Sequence, residues 1–530
     1  MNTKLLASLL LLSLQTWTSA ALRTWDGGGT NNNWTTATNW VGDVAPLPGD
    51  DLLFPTGKTR LSPINDFPSG TTFNSIIFSG TNYSLDGNSI ALNAGIIATN
   101  ATAYMVNNPL SLNSDQTFTV NVGDDNLYLL GPIDTVGKTL TLAVTAPSRA
   151  QMVGIIGGTG GLIKVGSGTA LLYGDNTFSG PVQVNEGFLS LYHANALGAT
   201  NGNTTVAAGT TLGLANQITV REPLVLFGTL KSFSGQSKTW AGPIAVPAAG
   251  ATFATDVGSA LNINTVISGT NGFTKISSGL LVLNSNNTYV GTTVVDDGTL
   301  QVNGYQPDSP ILLNRVTLAG KGTVGSVTSG GTSAKILNPG LPLAAAILTC
   351  SNLTLSGTTS FQVELNGTTP GSGYDQLVVN GSVSLNNAIF AGAVGFAPAP
   401  GDSFVIINND GNDPVNGIFL GLTNGAPLVL GTNLFQISYT GGDGNDVVLT
   451  RIRMPARFES VTQLPNGQEQ IRATGGFAGL TYTVQAKSNL NPGIQWSSLG
   501  TATANVSGVI LFTDTNAPLF PMRFYRALSP

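Results

Sequence analysis

The feature that most restricts the fold of this chain is an internal repeat. Residues 158–191 align without a gap on residues 269–302, at a constant offset of 111 residues. The matching pairs are Gly161/Gly272, Lys164/Lys275, Gly168/Gly279, Asn176/Asn287, Thr177/Thr288, Phe178/Tyr289, Gly180/Gly291, Val184/Val295, Gly187/Gly298 and Leu189/Leu300. Gly131-Pro132-Ile133 and Gly242-Pro243-Ile244 share the offset, so the duplicated block is longer than its clearest motif. Duplication of this kind marks an architecture in which each unit covers the apolar face of its neighbour.

The matched positions read as structural. Leu189 and Leu191, like Leu300 and Val302, alternate with polar residues, the pattern of a strand with one buried face. Gly180, Gly187 and their partners fall between strands, where a corner demands positive φ or close backbone approach. Asn176 and Asn287 stand at a turn, where stacked side chains are expected to hydrogen-bond in a ladder between coils. Phe178 and Tyr289 then read as core or corner aromatics.

Composition agrees with a β chain. It has 67 Gly, and only 9% of its residues are charged, a balance far from that of a disordered chain. Segments rich in Ala, Glu, Lys and Arg, which surface helices use, are lacking. Strand runs continue outside the repeats, for example Thr204 to Leu214, Arg315 to Val327 and Leu353 to Leu365. Parallel strands normally need helical crossovers. A long helix-free chain with few hairpin signals is therefore expected to coil each strand onto the one before, about 4.8 Å away. The formal net charge of -6 argues against a nucleic-acid partner, which would require a basic stripe.

The N-terminus reads as a secretory signal peptide. Lys4 precedes the apolar run Leu5 to Leu14, and small residues follow at Ser19, Ala20 and Ala21, with cleavage expected after Ala20 or Ala21. The run is shorter than the roughly 20 residues that cross a bilayer, and no later segment reaches that length, so the mature chain is expected to be soluble without a transmembrane segment. The single cysteine, Cys350, has no internal disulfide partner and reads as a small buried hydrophobe.

The pattern Gly-x-Leu/Phe-x-Lys, then Asn-Thr-aromatic-x-Gly, then Gly-x-Leu resembles the autotransporter-associated β-strand repeat, also called the passenger-associated transport repeat. Residues 158–191 and 269–302 carry it. The segment from Leu365 to Thr450, with Gly373-Tyr374-Asp375 and Gly441 to Leu449, is similar to the end of such passengers, and Trp25-Asp26-Gly27, Asn33-Trp34 and Asn39-Trp40 to their start. The resemblance implies a right-handed parallel β-helix placed outside the cell or on its surface. One departure from the pattern is that no C-terminal translocator barrel is visible: the 79 residues after Arg451 are too few for its many alternating strands.

Composition shifts at Arg451. Arg451, Arg453, Arg457, Arg472, Arg523 and Arg526 crowd the end of the chain, and Tyr482–Ala486, Val509–Thr513 and Met522–Arg526 read as antiparallel strands. The expected organisation is a signal peptide at 1–20, an N-terminal β region that begins the helix at 21–105, the β-helix at 106–450, and a β-sandwich-like module at 452–530. The fold class is thus all-β, a right-handed parallel β-helix (solenoid) followed by a small antiparallel β-sandwich. The module reads either as a sorting or attachment element or as an end cap for the last coil.

No catalytic constellation and no cofactor site emerges from these residues. Gly441 to Leu449 fits the nonapeptide that binds Ca²⁺ between stacked turns, with Asp443 and Asp446 as candidate ligands, but only one copy is present and a plain turn explains it. Carbohydrate cleavage would need clustered carboxylates. The candidates are Asp124 with Asp125, Asp256, and Asp296 with Asp297, and the last pair aligns with Asn185 and Glu186 as a solvated corner. His193, the only histidine, has no nucleophile elbow to accompany it, and one Cys with one His cannot build a zinc site. Gly157 to Gly161 lacks the Lys-Ser/Thr ending of a phosphate loop. Three functions stay open: a non-enzymatic adhesion or binding scaffold contacting glycans, matrix or other cells; a polysaccharide-active β-helix enzyme; and an envelope component sorted by its C-terminal module.

Overall fold

The computed structural model describes residues 20–99, 103–121, 126–341, 344–453 and 455–529. The signal-peptide reading and the Asp124/Asp125 pair lie almost wholly outside them. The chain is all-β, with a parallel β-solenoid of about 14 turns, and the described helices are two 3-10 turns, Ala37–Asn39 and Ala517–Leu519. It divides into two compact units, residues 1–229 and 230–530.

In the first unit, parallel pairing starts at Leu22–Thr24 against Asp51–Phe54. The ladder then runs through Thr71–Phe78, Ile90–Ala98, Gln116–Val120, Leu140–Val144, Leu162–Val165, Val182–Val184, Thr204–Val206 and Leu224–Leu226. A second ladder passes through Asn126–Leu129, Arg149–Met152, Thr169–Leu172, Phe188–Leu191 and Thr211–Leu214. Because side chains alternate along each strand, equal positions in successive coils stack into interior columns. One such column is Leu140, Leu162, Val182, Thr204 and Leu224, each almost fully enclosed. At the start of the unit the three tryptophans of the sequence motif pack together: Trp25 and Trp40 meet edge to face at 5.3 Å, Trp34 and Trp40 at 6.4 Å.

The second unit repeats the scheme. One parallel ladder joins Lys238–Trp240, Ala260–Ile263, Leu280–Leu283, Gly298–Val302, Val316–Gly320, Lys335–Leu341, Thr359–Leu365 and Ile389–Val394. Another joins Thr252–Thr255, Thr274–Ile276, Thr293–Val295, Ile311–Leu313, Val327–Ser329, Leu353–Thr354 and Val383–Ser384. A third changes direction: Ser403–Asn409 still pairs in parallel with Gln376–Val379, but Asp446–Arg451, Asn433–Gly441 and Pro427–Leu430 follow it antiparallel. The runs read as Thr204 to Leu214 and Leu353 to Leu365 are each two strands bent around a corner, since short polar corners leave the apolar alternation nearly unbroken.

The C-terminal module consists of two three-stranded antiparallel sheets. Arg457–Gln463, Glu469–Thr474 and Ile510–Asp514 form one; Ser497–Thr503, Thr481–Lys487 and Phe524–Leu528 form the other. Their inner residues, Ala473, Leu480, Tyr482, Ala504 and Ile510, close over a small core that also includes Leu434 of the preceding hairpin.

Candidate functional site

The repeated residues hold the coils together. Lys164 points inward, in a column with Leu142, Val184, Val206 and Leu226, and is fully enclosed. Its aliphatic stem fills the column, while Nζ turns to the corner and donates to the main-chain oxygens of Val165 (2.8 Å), Gly166 (2.6 Å) and Glu186 (3.3 Å). Lys275 does the same with Ile276 (3.0 Å), Ser277 and Asp297 (3.0 Å). Burial pushes both amines down to about 8, opposed by the charges of Glu186 and Asp297. Two more buried lysines follow the same design: Lys238 donates to Phe233, and Lys335 to Gly331, Ser333 and Thr358.

Asn176 is a buried clip to main-chain groups, whereas Asn287 bonds one main-chain amide and one side-chain amide. Asn176 accepts from the amide of Ile156 at 2.8 Å and donates to the oxygen of Ala196 at 2.7 Å, joining three coils. Asn287 accepts from Ile267 at 2.9 Å and donates to Gln306 at 2.8 Å. An asparagine ladder exists elsewhere, on the exterior, where Asn284 donates to Asn264 and Asn303 to Asn284, both at 2.8 Å. Phe178 and Tyr289 are enclosed as expected; Tyr289 Oη also bonds Thr293 and Gln306. Gly161, Gly168, Gly272 and Gly279 each face main-chain oxygen of a neighbouring coil, which leaves no room for a side chain. The first leucines of the closing strands, Leu189 and Leu300, are fully buried.

The outer face of the first unit has a different character. Tyr128, Gln151, Leu171, Ser190 and Gly213 form one outward column by register. Asn126, Arg149, Thr169, Phe188 and Thr211 form the next. Just beyond the strands, the amides of Tyr173 and Tyr192 continue the ladder to the oxygens of Met152 and Leu172, both at 2.9 Å. That spacing stacks the two rings, 4.2 Å between centroids and 25° between planes. Burial, then Tyr192 and Tyr128, push the Tyr173 phenol up to about 12, with Arg149 acting the other way, so these four side chains share one neighbourhood. Leu171 and Ser190 are buried between the flanking columns and make a floor. At the rim, Asp175 accepts from Asn195 at 2.8 Å and lies 3.6 Å from His193 Nδ1. The face offers aromatic surface beside donors and acceptors, which suits a ligand with apolar faces and hydroxyl groups.

Among the described residues, the candidate carboxylates engage separate partners. Asp256 pairs with Lys231 at 3.3 Å; Asp296 accepts from Asn314 at 2.6 Å, and Asp297 from the amide of Gly298 at 2.9 Å. His193 Nδ1 accepts from the amide of Asn195 at 3.2 Å, and no hydroxyl is bonded to its ring among the described residues. Asp443 and Asp446 belong to a hairpin turn between Asn433–Gly441 and Asp446–Arg451, in which Asp446 is buried and accepts from the amide of Asn409 at 2.9 Å. Asp443 is exposed. Among the described residues no three His, Cys, Asp or Glu side chains are grouped to share a metal, and no helix is long and apolar enough to cross a membrane. Tyr128, Tyr173 and Tyr192 carry no shared spacing, so the sequence offers no signal for the face they form.

Residues 162–191 and 273–302 match the family model described as the passenger-associated transport repeat. The two matched segments thus carry the passenger-associated transport repeat, set within an all-β solenoid. Among curated proteins the chain is 28% identical over 294 residues, 54% of this chain, to the adhesin BmaC autotransporter of Brucella suis biovar 1 (strain 1330). It is 45% identical over 60 residues, 11% of this chain, to an extracellular serine protease of Serratia marcescens. The matches span only 7% and 6% of those proteins' own length. Among solved structures, the Hap adhesin of Haemophilus influenzae aligns over 78% of this chain and 65% of that one, at 11% identity and a TM-score of 0.29.

Proposed function

We propose that the chain is a secreted or cell-surface binding scaffold of the adhesin type, that it carries out no catalytic step, and that the tyrosine-lined face of its first unit contacts the ligand. The observation that carries this reading is the stacked pair Tyr173 and Tyr192, set beside Tyr128 and Arg149 on the outer face. Stacked aromatics on an exterior contribute little to the solenoid interior, whereas rigid tyrosines supply contact area at low entropic cost. The adhesin name of the Brucella suis relative supports the same reading. Glycans, matrix components or other cell surfaces are the partners it implies. The reading requires no cofactor.

The test is a glycan and matrix array probed with the whole chain and with the Tyr173→Ala/Tyr192→Ala variant. Retention of a ligand by the parent and loss of about tenfold or more in affinity by the variant is expected, the scale of a binding hot spot. Equal retention by both removes the face from the proposal. Release of product from a polysaccharide panel, with or without Ca²⁺, would overturn the non-catalytic reading.

A further inference from the structure

A second surface lies on the C-terminal module and stands independently of the tyrosine face. By strand alternation, Tyr482, Val484 and Ala486 point into the module core, so Thr483, Gln485 and Lys487 point out. Register places Leu528 beside Thr483 and Arg526 beside Gln485 on that outer face. Trp496 joins them from the loop that follows Lys487. The Arg526 guanidinium lies 4.6 Å from its ring centroid and the Lys487 ammonium 5.2 Å. Arg526 Nε is steadied by Gln485 at 2.8 Å. Neither cation has a salt bridge to an acidic side chain among the described residues, in contrast to Arg472 with Glu459 and Arg523 with Asp514 in the same module.

Sign and polarity both set this region apart. The whole chain carries a net charge of -6, yet after Arg451 six basic side chains face three acidic ones, Glu459, Glu469 and Asp514. The loop that carries Trp496 also exposes apolar side chains, with Leu490 60% and Ile494 36% exposed, and Leu528 on the flanking strand is 39% exposed. A soluble polyanion would use the cations and gain nothing from these aliphatic side chains. A lipid leaflet uses both, since its headgroups meet Lys487 and Arg526 while Trp496, Leu490 and Ile494 enter the boundary with the acyl chains.

We infer that the loop 488–496 with Lys487, Arg526 and Leu528 is a docking surface for a lipid leaflet bearing anionic headgroups. The cations are held against the indole so that their charged ends reach headgroup phosphates without drawing water into the apolar contact. The attachment is peripheral, made by one loop and one sheet face, and needs no membrane-spanning segment.

The experiment uses the full chain with phosphatidylglycerol-containing and pure phosphatidylcholine vesicles, read by flotation and by quenching of tryptophan fluorescence with brominated lipid. Trp25, Trp34, Trp40 and Trp240 are fully enclosed, and Trp17 is replaced by Phe in every form tested, so lipid contact is read through Trp496. Expected are salt-sensitive binding to the anionic vesicles and quenching. Each should fall about tenfold in Lys487→Gln/Arg526→Gln, on the scale of two lost headgroup contacts, and quenching should vanish in Trp496→Ser. Equal binding to both vesicle types overturns the proposal, as does no binding, or unchanged binding by variants with the parent's thermal midpoint. Dextran sulfate is the third arm: if it shifts the Trp496 emission while brominated lipid does not quench it, the occupant is a soluble polyanion and the lipid assignment fails.

Discussion

Lys275 Nζ lies 3.0 Å from the main-chain oxygen of Asp297, one coil further along the solenoid, and Lys164 Nζ stands in the same relation to Glu186. A cation with three donors meets three main-chain carbonyls at the bend. The repeat motif thus carries its own corner brace, with the stem in the hydrophobic column and the charge at the bend.

Stem and charge can be separated by substitution. Lys275→Ala removes both, leaving a cavity beside Phe253 and Val295 and unmatched carbonyls, at a cost of about 2–5 kcal/mol. Lys275→Met keeps most of the volume and should cost clearly less. Denaturant midpoints for the two variants, followed by hydrogen exchange at the 296–298 corner, check this. Equal losses would show that the stem contributes nothing.

Asn176→Ala severs a clip between three coils and leaves the amide of Ile156 and the oxygen of Ala196 buried without their side-chain partner. A loss of about 1–3 kcal/mol is expected. Asn113→Ala, which removes an exposed bond of 3.0 Å to Asn93, should cost a few tenths of that, and comparable losses for both would contradict the clip.

Glu222 is 2% exposed, its Oε2 finds no hydrogen-bond partner among the described residues, and burial pushes its carboxyl up to about 7. Because the folded value exceeds the unfolded one, the fold holds a proton that the unfolded chain has released. This contribution is fully present below the unfolded pKa of 4.5 and is lost as pH rises through about 7. Glu222→Gln should remove that slope and be more stable than the parent at pH 8, by on the order of 1–3 kcal/mol. A parent and variant with parallel pH profiles from 4 to 8 would refute the assignment.

Cys350 is stacked between Val324 and Val379, fully enclosed, with its thiol pushed up to about 12 by burial. Iodoacetamide at pH 8 should label the native chain at least about a hundredfold more slowly than the unfolded chain, since the thiolate is the reactive form. Rapid native labelling would place the thiol at the surface.

Much of the solenoid was legible because its corners are chemically narrow. Gly187 and Gly298 have φ of +68° and +77°, and a Cβ on Gly291 would lie 2.0 Å from the amide nitrogen of Gly272, so these positions repeat in sequence. Leu189 and Leu300 were legible through alternation. The asparagines were legible as turn residues but not in their bonding, since the neighbouring coil decides whether the amide meets a carbonyl, as at Ala196, or a side-chain amide, as at Gln306. Lys164 and Lys275 showed as matched pairs without a reason, because a lysine in a strand gives no hint that its amine reaches a corner. The tyrosine face was hidden altogether, as Tyr128, Tyr173 and Tyr192 become neighbours only once the lengths of the intervening coils are known. Asp443 and Asp446 fitted a metal-binding pattern present in one copy, and the segment closes a hairpin.

The column Leu142, Lys164, Val184, Val206 and Leu226 keeps strict register although the coils between its members differ in length. The paired positions stay in step, and the bends absorb the surplus. Residues can therefore be gained or lost during divergence at the bends without moving any core side chain, which makes chain length an editable trait. Two such proteins can share strands and braces while agreeing on neither overall size nor the loops they display.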